Sequence, residues 1–465
     1  MPREEPTTAH PFVDSGTYRV REGNSARLLV DGEPAFRRVY EAIEAARASV
    51  WVSITFMWPS FVMPDGRGTA LDVLARAAAR GLDVRLIFWR PDDETASLRT
   101  NAFWGAPEHL EQLDAAGTGV SVRWDRAQAG HCQHQKVWML DAGLPSQVAF
   151  MGGINLNPHS LAAPGHAGEG QNHDVYVELA GPCLADVQHD FVQRWNEASE
   201  RGVPGGTRGE RGGEDLPYPT ALPACAGTAA VQVQRTVAAG KYTVGRAPVG
   251  WRGFDAGAGE RTILRQYVVA LGAARSAVYL ENQYVEVPEI VAALRGALER
   301  GVEVVLLLPA NPALSSAAYA TPERRAFFAA RAALDDFPNF TLTGLAGLGG
   351  DGKRKPVYVH SKLMLVDDAF ALIGSANLHR FSLFGNGESS AAIRSPEHVG
   401  AFRRELFEEH IGLGTADLDA AAALREFGRV ARENAARLAA GDAAWQGLAF
   451  RMRFATYGLS TTGLI

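Results

Sequence analysis

The sequence predicts an α/β protein, specifically a duplicated α-β-α sandwich of two pseudo-symmetric halves with mixed, largely parallel sheets. Two observations support this fold class. Apolar strand-like segments alternate with amphipathic helical segments, an order that buries a sheet between layers of helices. The same order then occurs a second time along the 465-residue chain, and internal repetition indicates duplicated structural units.

The first elements of the repeat are a helix end followed by an apolar strand. AIEAARASVWVSITF at 42–56 corresponds to ALGAARSAVYLENQY at 270–284. Next, LARAAARGLDVRLI at 74–87 corresponds to LRGALERGVEVVLL at 294–307, and in each case a glycine ends a helix before a buried strand. We therefore expect each half to begin with two strands joined by a helix.

Two shorter strands and a closing helix complete each copy. The corresponding segments are HQKVWMLD at 134–141 and HSKLMLVD at 360–367, AFMGGINL at 149–156 and ALIGSANL at 371–378, and FVQRW at 191–195 and FRRELF at 402–407. Each half is thus expected to run helix–strand–helix–strand–strand–strand–helix.

The duplication divides the chain into three regions. We expect a first half over residues 1–200, a Gly- and Pro-rich linker region over 201–260 and a second half over 261–465. The second half should end in a helix within the Ala- and Arg-rich segment 416–441.

Composition excludes several classes of protein. Hydrophobic residues form 46% of the chain, so it should be packed and globular, and a net charge of −6 argues against a stable nucleic-acid partner. Three cysteines give no disulfide framework and fit a reducing compartment. The sequence shows no signal peptide and no run of about 18 apolar residues. We therefore expect a cytoplasmic location, with any membrane contact being peripheral.

A polar pattern, H-x-K-x4-D followed by G-x-x-N, recurs at matching positions in both copies. Because side chains alternate along a strand, the histidine and the lysine of each pattern share one face of the sheet. A duplication that served only as a scaffold would let such polar residues drift. The candidate residues are His134, Lys136, Asp141 and Asn155 in the first copy, and His360, Lys362, Asp367 and Asn377 in the second.

These groups suit the cleavage of a phosphodiester. One neutral imidazole can attack phosphorus and carry the phosphoryl group, while a protonated imidazole on the opposite side gives its proton to the departing alkoxide. Lys136 and Lys362 would hold the non-bridging oxygens, and Asn155 and Asn377 would donate hydrogen bonds to them. We therefore expect neither a cofactor nor a metal ion at the site.

A catalytic histidine usually needs a partner on its second ring nitrogen. Asp174 lies downstream of the first motif, in QNHDVYVEL, and Glu388 lies downstream of the second, in GNGESSAAI. We predict that each carboxylate orients one histidine, grouped by half: Asp174 with His134, and Glu388 with His360.

Three further histidines, His159, His166 and His173, recur every seven residues, a spacing that would place them on one face of a helix. The segment around them is too rich in glycine for a helix. We therefore expect them to lie in a solvated loop.

On these motifs the sequence resembles the phospholipase D superfamily, whose signature is a pair of HKD motifs, here HQKVWMLD and HSKLMLVD. The segments YLENQY, IGSANL and NGE also resemble members of that superfamily. The likeness covers about residues 36–200 and 263–410. It implies a phospholipase D-like fold and a metal-independent, two-step reaction through a covalent phosphohistidine.

The resemblance also implies roles for individual residues. It indicates His134 as the nucleophile and His360 as the general acid and later the general base, with Asp141 and Asp367 as supporting groups. Because both motifs lie in one chain, a monomer can complete the site. The implied partner is a phospholipid or another phosphodiester substrate.

Several functions stay open at this level. The leading hypothesis is phospholipase D-type hydrolysis or transphosphatidylation of a phospholipid. The alternative is a cardiolipin synthase-like phosphatidyltransferase, which the N-G-E ending of the second half favours. A nuclease or other phosphodiesterase is disfavoured by the acidic net charge, and a non-catalytic binding protein is disfavoured because both motifs are intact.

Overall fold

The computed structural model describes residues 11–14, 16–91, 117–198, 215–311 and 321–457. The first half contains strands β1 (Arg21–Val30), β2 (Ser49–Ile54), β3 (Asp83–Trp89), β4 (Ser121–Asp125), β5 (Val137–Leu140), β6 (Val148–Gly152), β7 (Asn172–His173) and β8 (Val175–Ala180), with helices α1 (Gly32–Ala45), α2 (Ala70–Ala79) and α3 (Leu184–Asn196).

The remaining elements form the second half. Its strands are β9 (Ala229–Val237), β10 (Glu260–Arg261), β11 (Ala277–Glu281), β12 (Glu303–Leu307), β13 (Phe340–Leu348), β14 (Arg354–Val359), β15 (Leu363–Val366), β16 (Phe370–Gly374), β17 (Glu388–Arg394) and β18 (Ala449–Met452). Its helices are α4 (Thr262–Ala273), α5 (Pro288–Glu299), α6 (Pro322–Ala332), α7 (Arg380–Phe384), α8 (Pro396–Ile411) and α9 (Ala420–Ala439), and α9 is the C-terminal helix expected within 416–441.

The two halves carry sheets with the same strand order. The first sheet runs β1-β8-β6-β5-β2-β3-β4, and the second runs β9-β17-β16-β15-β11-β12-β13. β1 also pairs with β9, so the sheets join into one large mixed sheet. The matching order confirms the duplicated α/β fold.

The direction of strand pairing corrects one part of the expectation. Parallel pairing is limited to β2–β3 and β3–β4 in the first sheet, and to β11–β12 and β12–β13 in the second, so the sheets are mostly antiparallel rather than largely parallel. The reason is the length of the connections. Parallel neighbours need a long crossover, whereas β5–β6 and β15–β16 are joined by short turns and must run antiparallel.

The apolar core has three layers, as an α-β-α-β-α arrangement requires. A central cluster joins the inner faces of both sheets to α3, α8 and α9, and it contains Met139, Trp195, Ile373, Phe407 and Phe427. The outer faces pack separately, against α1 and α2 in the first half and against α4 and α5 in the second. Because the central layer is shared, the two halves are held face to face.

The region expected to be a linker, 201–260, contains a central strand. β9 is buried along its whole length and pairs with β17. Its buried Arg235 donates to Asp190 of α3 at 2.8 Å and to Glu260 at 3.1 Å. These two carboxylates compensate the buried positive charge of the guanidinium. The Gly- and Pro-rich sequence around β9 led to the prediction of a linker instead of a strand. Residues 199–214 lie outside the described part of the chain.

Among the described residues, no helix is long and apolar enough to cross a bilayer.

Candidate active site

The two motif histidines stand just before equivalent strands of the two sheets. His134 and Lys136 precede β5, and His360 and Lys362 precede β15. All four are buried, and the histidines keep only 7% and 8% of their surface exposed. The shared central layer brings these two strand ends together, so the predicted residues of both halves form one site.

Backbone hydrogen bonds cross between the halves at this point. The amide of His134 donates to the carbonyl of Gly387 at 2.7 Å, and the amide of His360 donates to the carbonyl of His173 at 2.8 Å. Gly387 and His173 each directly precede one of the predicted carboxylates. Each histidine is therefore fixed beside the carboxylate of the opposite half.

The side chains follow the same crossed pattern. His134 Nδ1 lies 3.1 Å from Glu388 Oε2, and His360 Nδ1 lies 2.6 Å from Asp174 Oδ2. Both carboxylates are fully buried. The prediction that each carboxylate orients a histidine agrees with this geometry, but the pairing by half was wrong. The backbone hydrogen bonds between the halves place each histidine next to the residue that precedes the carboxylate of the opposite half.

Each dyad leaves Nε2 of its histidine as the nitrogen available to a substrate. Within the described ranges, Nε2 of His134 and of His360 has no hydrogen-bond partner in the protein. The carboxylates fix the Nδ1–H tautomer, which keeps a lone pair on Nε2. A phosphorus atom held between the two rings would meet one nucleophile and, once the other ring is protonated on Nε2, one proton donor.

Glu388 and Asp174 accept hydrogen bonds from different kinds of donor. Ser375 donates its hydroxyl to Glu388 Oε2 at 2.5 Å, and its carbonyl lies 3.1 Å from His134 Nδ1. The equivalent position in the first half is Gly153, where a Cβ atom would overlap the Asp174 carboxylate. Asp174 is instead held by the amide of Val175 at 2.8 Å. Sequence reasoning missed both residues, although they occupy the second position of the two G-x-x-N patterns.

The two lysines are held in matching ways. Lys136 Nζ donates to the carbonyl of His134 at 2.7 Å and to Thr55 Oγ1 at 3.2 Å. Lys362 Nζ donates to the carbonyl of His360 and lies 3.5 Å from Gln283 Oε1.

Thr55 and Gln283 occupy equivalent places in the repeats SITF and ENQY, one residue after β2 and two residues after β11. Sequence reasoning missed them because it compared only identical residue types. A comparison of equivalent positions would have found them.

Burial and the two positive charges control protonation of the site. Burial lowers the pKa of Lys136 to about 7, against the charge of Glu388, and lowers the pKa of Lys362 to about 8. Burial and the charge of Lys362 lower the pKa of His360 to about 4. Burial also lowers the pKa of His134, although Glu388 opposes the shift. At neutral pH both imidazoles are thus neutral in the absence of substrate.

The remaining predicted residues fall into two groups. Asn155 and Asn377 are buried just beyond β6 and β16, and their Oδ1 atoms have no hydrogen-bond partner in the described parts of the chain. No hydrogen bond there connects these amides to the histidines or lysines.

Asp141 and Asp367 lie at the far ends of β5 and β15. Asp141 Oδ1 accepts from the amide of Ala48 at 2.8 Å, and Asp367 Oδ1 accepts from the amide of Ala277 at 2.8 Å. Both therefore anchor the start of a neighbouring strand, away from the reacting groups.

The expectation of a solvated histidine loop was partly wrong. His159 is exposed, but His166 and His173 are fully buried. His173 lies on β7, which pairs with β14 of the opposite half, and Gly347 of β13 leaves space for the backbone of His166. The glycines that argued against a helix allow the loop to fold inward instead.

Two HKD motifs on duplicated sheets, with crossed histidine–carboxylate dyads, define a site of the phospholipase D superfamily of enzymes. The sequence profile of the family described as "Cardiolipin synthase, PLD-like domain" matches residues 39–197 and 267–411. The chain belongs to this family.

Individual relatives agree with that assignment. The chain is 29% identical to cardiolipin synthase A of Pseudomonas entomophila (strain L48) over 373 residues, which are 78% of this chain and 64% of that protein. It is 27% identical to cardiolipin synthase A of Pseudomonas aeruginosa (strain LESB58) over 421 residues, which are 88% of this chain and 72% of that protein. The chain thus spans about two thirds of the length of such relatives.

A solved structure supports the fold. The crystal structure of phosphatidylserine synthase from Haemophilus influenzae Rd KW20 matches 89% of this chain and 94% of its own, with a TM-score of 0.54 and 14% sequence identity. At this identity the likeness shows the fold alone.

Proposed function

We propose that the chain is a phosphatidyltransferase of the cardiolipin synthase type. It transfers the phosphatidyl group of one phospholipid to a hydroxyl of an alcohol acceptor, through a phosphohistidine. The observation that carries this proposal is the joining of two crossed dyads and two lysines in one buried site, in a chain of this family. The curated relatives named above favour transfer over the hydrolysis expected first.

In the first step, Nε2 of His134 attacks phosphorus while the bond from phosphorus to the leaving alkoxide breaks. Glu388 stabilises the positive charge that develops on this ring. His360 gives its proton to the departing oxygen. The products are a phosphatidyl group on His134 and a free alcohol.

Substrate binding would favour uptake of the proton that His360 needs from the solvent. Burial and the charge of Lys362 keep His360 neutral in the free protein. A phosphodiester anion between Lys136 and Lys362 offsets that charge, so protonation of His360 becomes more favourable. The two lysines then stabilise the extra negative charge of the transition state.

In the second step, the acceptor hydroxyl replaces the first alcohol. Neutral His360 takes the proton of the acceptor hydroxyl, and the oxygen of that hydroxyl attacks phosphorus. The bond between phosphorus and His134 Nε2 breaks at the same time. Water in the same position would give phosphatidic acid, so the acceptor that reaches His360 decides between transfer and hydrolysis.

Vesicles of phosphatidylglycerol test the proposal. We expect cardiolipin and glycerol from the wild-type chain, and no product from His134→Ala or His360→Ala. His398→Gln is the matched control, because this histidine hydrogen-bonds to Ser395 at the start of α8 and the change should leave activity unchanged. Phosphatidic acid without cardiolipin would replace the proposal with a hydrolase. Cleavage of DNA without any lipid product would replace it with a nuclease.

The covalent step has a separate test. His360→Asn removes the base of the second step, so a slow first step should leave the phosphatidyl group on His134. Intact-protein mass spectrometry at acidic quench should show this added mass, and peptide mapping should place it on His134. The opposite result would be a phosphatidyl group on His360 in the His134→Asn chain and none on His134 in the His360→Asn chain. It would make His360 the nucleophile and His134 the general acid and base.

A further inference from the structure

A second cluster of ionisable side chains lies buried behind the His360–Asp174 dyad, between the two halves. Its members are Asp31, His166 and His173 from the first half and Glu281, Glu409 and His410 from the second. Five of the six are fully buried, and the side chain of Glu409 keeps 9% of its surface exposed. None of them takes part in the proposed phosphatidyl transfer.

One histidine of this cluster is fully paired. His173 Nδ1 lies 3.0 Å from Asp31 Oδ1, and its Nε2 lies 3.0 Å from Glu281 Oε2. His173 thus bridges these two carboxylates and holds them in place.

A second histidine is left with a free lone pair. Tyr279 donates its hydroxyl to Glu281 Oε1 at 2.7 Å, so the contact of 2.8 Å between His410 Nδ1 and Tyr279 Oη requires the Nδ1–H tautomer. In this neutral tautomer Nε2 of His410 keeps its lone pair. Within the described ranges Nε2 has no hydrogen-bond partner, and it lies 4.0 Å from Glu409 Oε2.

The third histidine faces the same place. His166 Nε2 lies 3.1 Å from Asp31 Oδ2 and 3.5 Å from Glu409 Oε1. In the described parts of the chain, neither ring nitrogen of His166 has a hydrogen bond of acceptable geometry, and Asp31 Oδ2 and Glu409 Oε2 also lack one. Buried polar atoms rarely stay unpaired, because each costs about 1–3 kcal/mol. His166 Nε2, Asp31 Oδ2 and Glu409 Oε1 therefore lie close together, and the unpartnered Nε2 of His410 lies beside the other oxygen of Glu409.

We propose that Asp31, His166, Glu409 and His410 form a binding site for one divalent cation, with zinc as the best fit. Two imidazole and two carboxylate ligands are a donor set that zinc accepts. Tetrahedral zinc with bonds of about 2.0–2.2 Å needs ligand atoms about 3.4 Å apart. His166 Nε2 lies 3.1 Å from Asp31 Oδ2 and 3.5 Å from Glu409 Oε1, and His410 Nε2 lies 4.0 Å from Glu409 Oε2, so these three neighbouring pairs are near that spacing.

The surroundings of these ligands suit a metal site. His173 binds the second oxygen of Asp31, and Tyr279 binds the second nitrogen of His410, as outer partners orient metal ligands. Glu409 also accepts from the amide of Gly165 at 3.0 Å, which fixes the loop that carries His166. The cation would close this loop and the start of α1 onto α8 of the opposite half.

The proposed cation lies outside the site of phosphatidyl transfer but is connected to it. The amide of Asp31 donates to the carbonyl of Asp174 at 2.9 Å, and the carbonyl of His173 accepts from the amide of His360 at 2.8 Å. Of the four ligands, Asp31 thus contacts the backbone of the dyad directly, and its partner His173 contacts the backbone of His360. This inference does not rest on the proposed function, because cation binding is measured without any lipid.

Zinc binding to the whole chain tests the proposal. The chain is stripped with 1,10-phenanthroline, dialysed, and refilled with zinc chloride, and bound metal is counted by mass spectrometry. We expect about one zinc per chain. Cobalt(II) in place of zinc should give the strong visible absorption of a tetrahedral ion. His166→Gln and His410→Gln should each lower zinc affinity by at least about 10–100-fold.

His189→Gln is the matched control, because it removes a buried histidine of α3 that contacts Tyr18 instead of the cluster, and it should keep the zinc. A wild-type chain that takes up no zinc or cobalt overturns the proposal, as do cluster variants that bind zinc like the wild type. The wild-type stoichiometry decides the matter even where a variant does not fold. Loss of phosphatidyl transfer with zinc retained would count against the proposed function only.

Discussion

Glu388 lies 3.1 Å from Nδ1 of His134, a residue 254 positions earlier in the chain. The equivalent contact joins Asp174 to His360, 186 positions later, at 2.6 Å. Each half thus supplies the histidine of one dyad and the carboxylate of the other. Neither half can assemble a complete dyad alone, so the duplication is a requirement of the site as well as of the fold.

The crossed pairing predicts which histidine responds to loss of each carboxylate. Glu388→Gln should change the nitrogen-15 resonances of His134 and leave those of His360 near their wild-type positions. Asp174→Asn should do the reverse. Each variant should lower kcat by about 10²–10⁴-fold, because the ring loses its fixed tautomer and its counter-charge. A response of His360 to Glu388→Gln would contradict the pairing.

The lowered pKa values of the lysines predict an acidic pH optimum. Lys136, with a pKa of about 7, and Lys362, with a pKa of about 8, lose their charge as the pH rises, and His360, which must be protonated to act as the general acid, has a pKa of about 4 in the free protein. The ratio kcat/KM should therefore be highest at acidic pH, decline as His360 loses its proton, and fall further as the pH rises through 7–8.

The charge of Glu388 predicts how the fall of kcat/KM at high pH shifts in a variant. Glu388 raises the pKa of Lys136, so Glu388→Gln should lower this pKa further and shift the fall in residual activity to lower pH. Measured pH profiles of both chains check this. An alkaline limb near the ordinary lysine value of about 10.4 would show that the lysines are not desolvated in the free protein.

The glycine at position 153 predicts that adding a side chain there lowers activity. Gly153→Ser places a Cβ atom on the Asp174 carboxylate and should displace it from His360, although serine stands at the equivalent position 375. Activity should fall by about 10²-fold or more, since displacement of about 1 Å can cost that much.

Gly272→Ala is the control for this change. Position 272 lies in α4 and has no atom within 4 Å of a new Cβ, so alanine should leave activity unchanged and raise stability by about 0.4–1 kcal/mol. Full activity in Gly153→Ser would mean that Asp174 tolerates the displacement.

The place of Asp141 predicts an effect on stability alone. Asp141→Asn weakens the acceptor of the Arg47 and Ala48 amides, at 2.7 and 2.8 Å, far from the reacting groups. The free energy of unfolding should fall by about 1–3 kcal/mol, measured in urea, with kcat within about twofold of the wild type. A large loss of kcat in the folded variant would assign Asp141 a part in the reaction.

Much of the fold and site followed from local patterns. Strands such as β5 and β15 were recognisable because apolar runs bounded by turn residues form locally, and the duplication doubled each signal. The strand β9 was missed because Gly- and Pro-rich sequence surrounds it. Its buried Arg235 is stable only beside Asp190 and Glu260, which are distant in sequence.

The sequence by itself predicted the duplicated α/β plan and the eight candidate polar residues of the site, because each half repeats the same order of histidine, lysine, amide and carboxylate. Only the tertiary structure decided which carboxylate meets which histidine, and that His166 and His173 are buried in a second cluster. The reason is physical: periodicity fixes which face a side chain occupies, whereas the packing of the two sheets fixes which residue it meets.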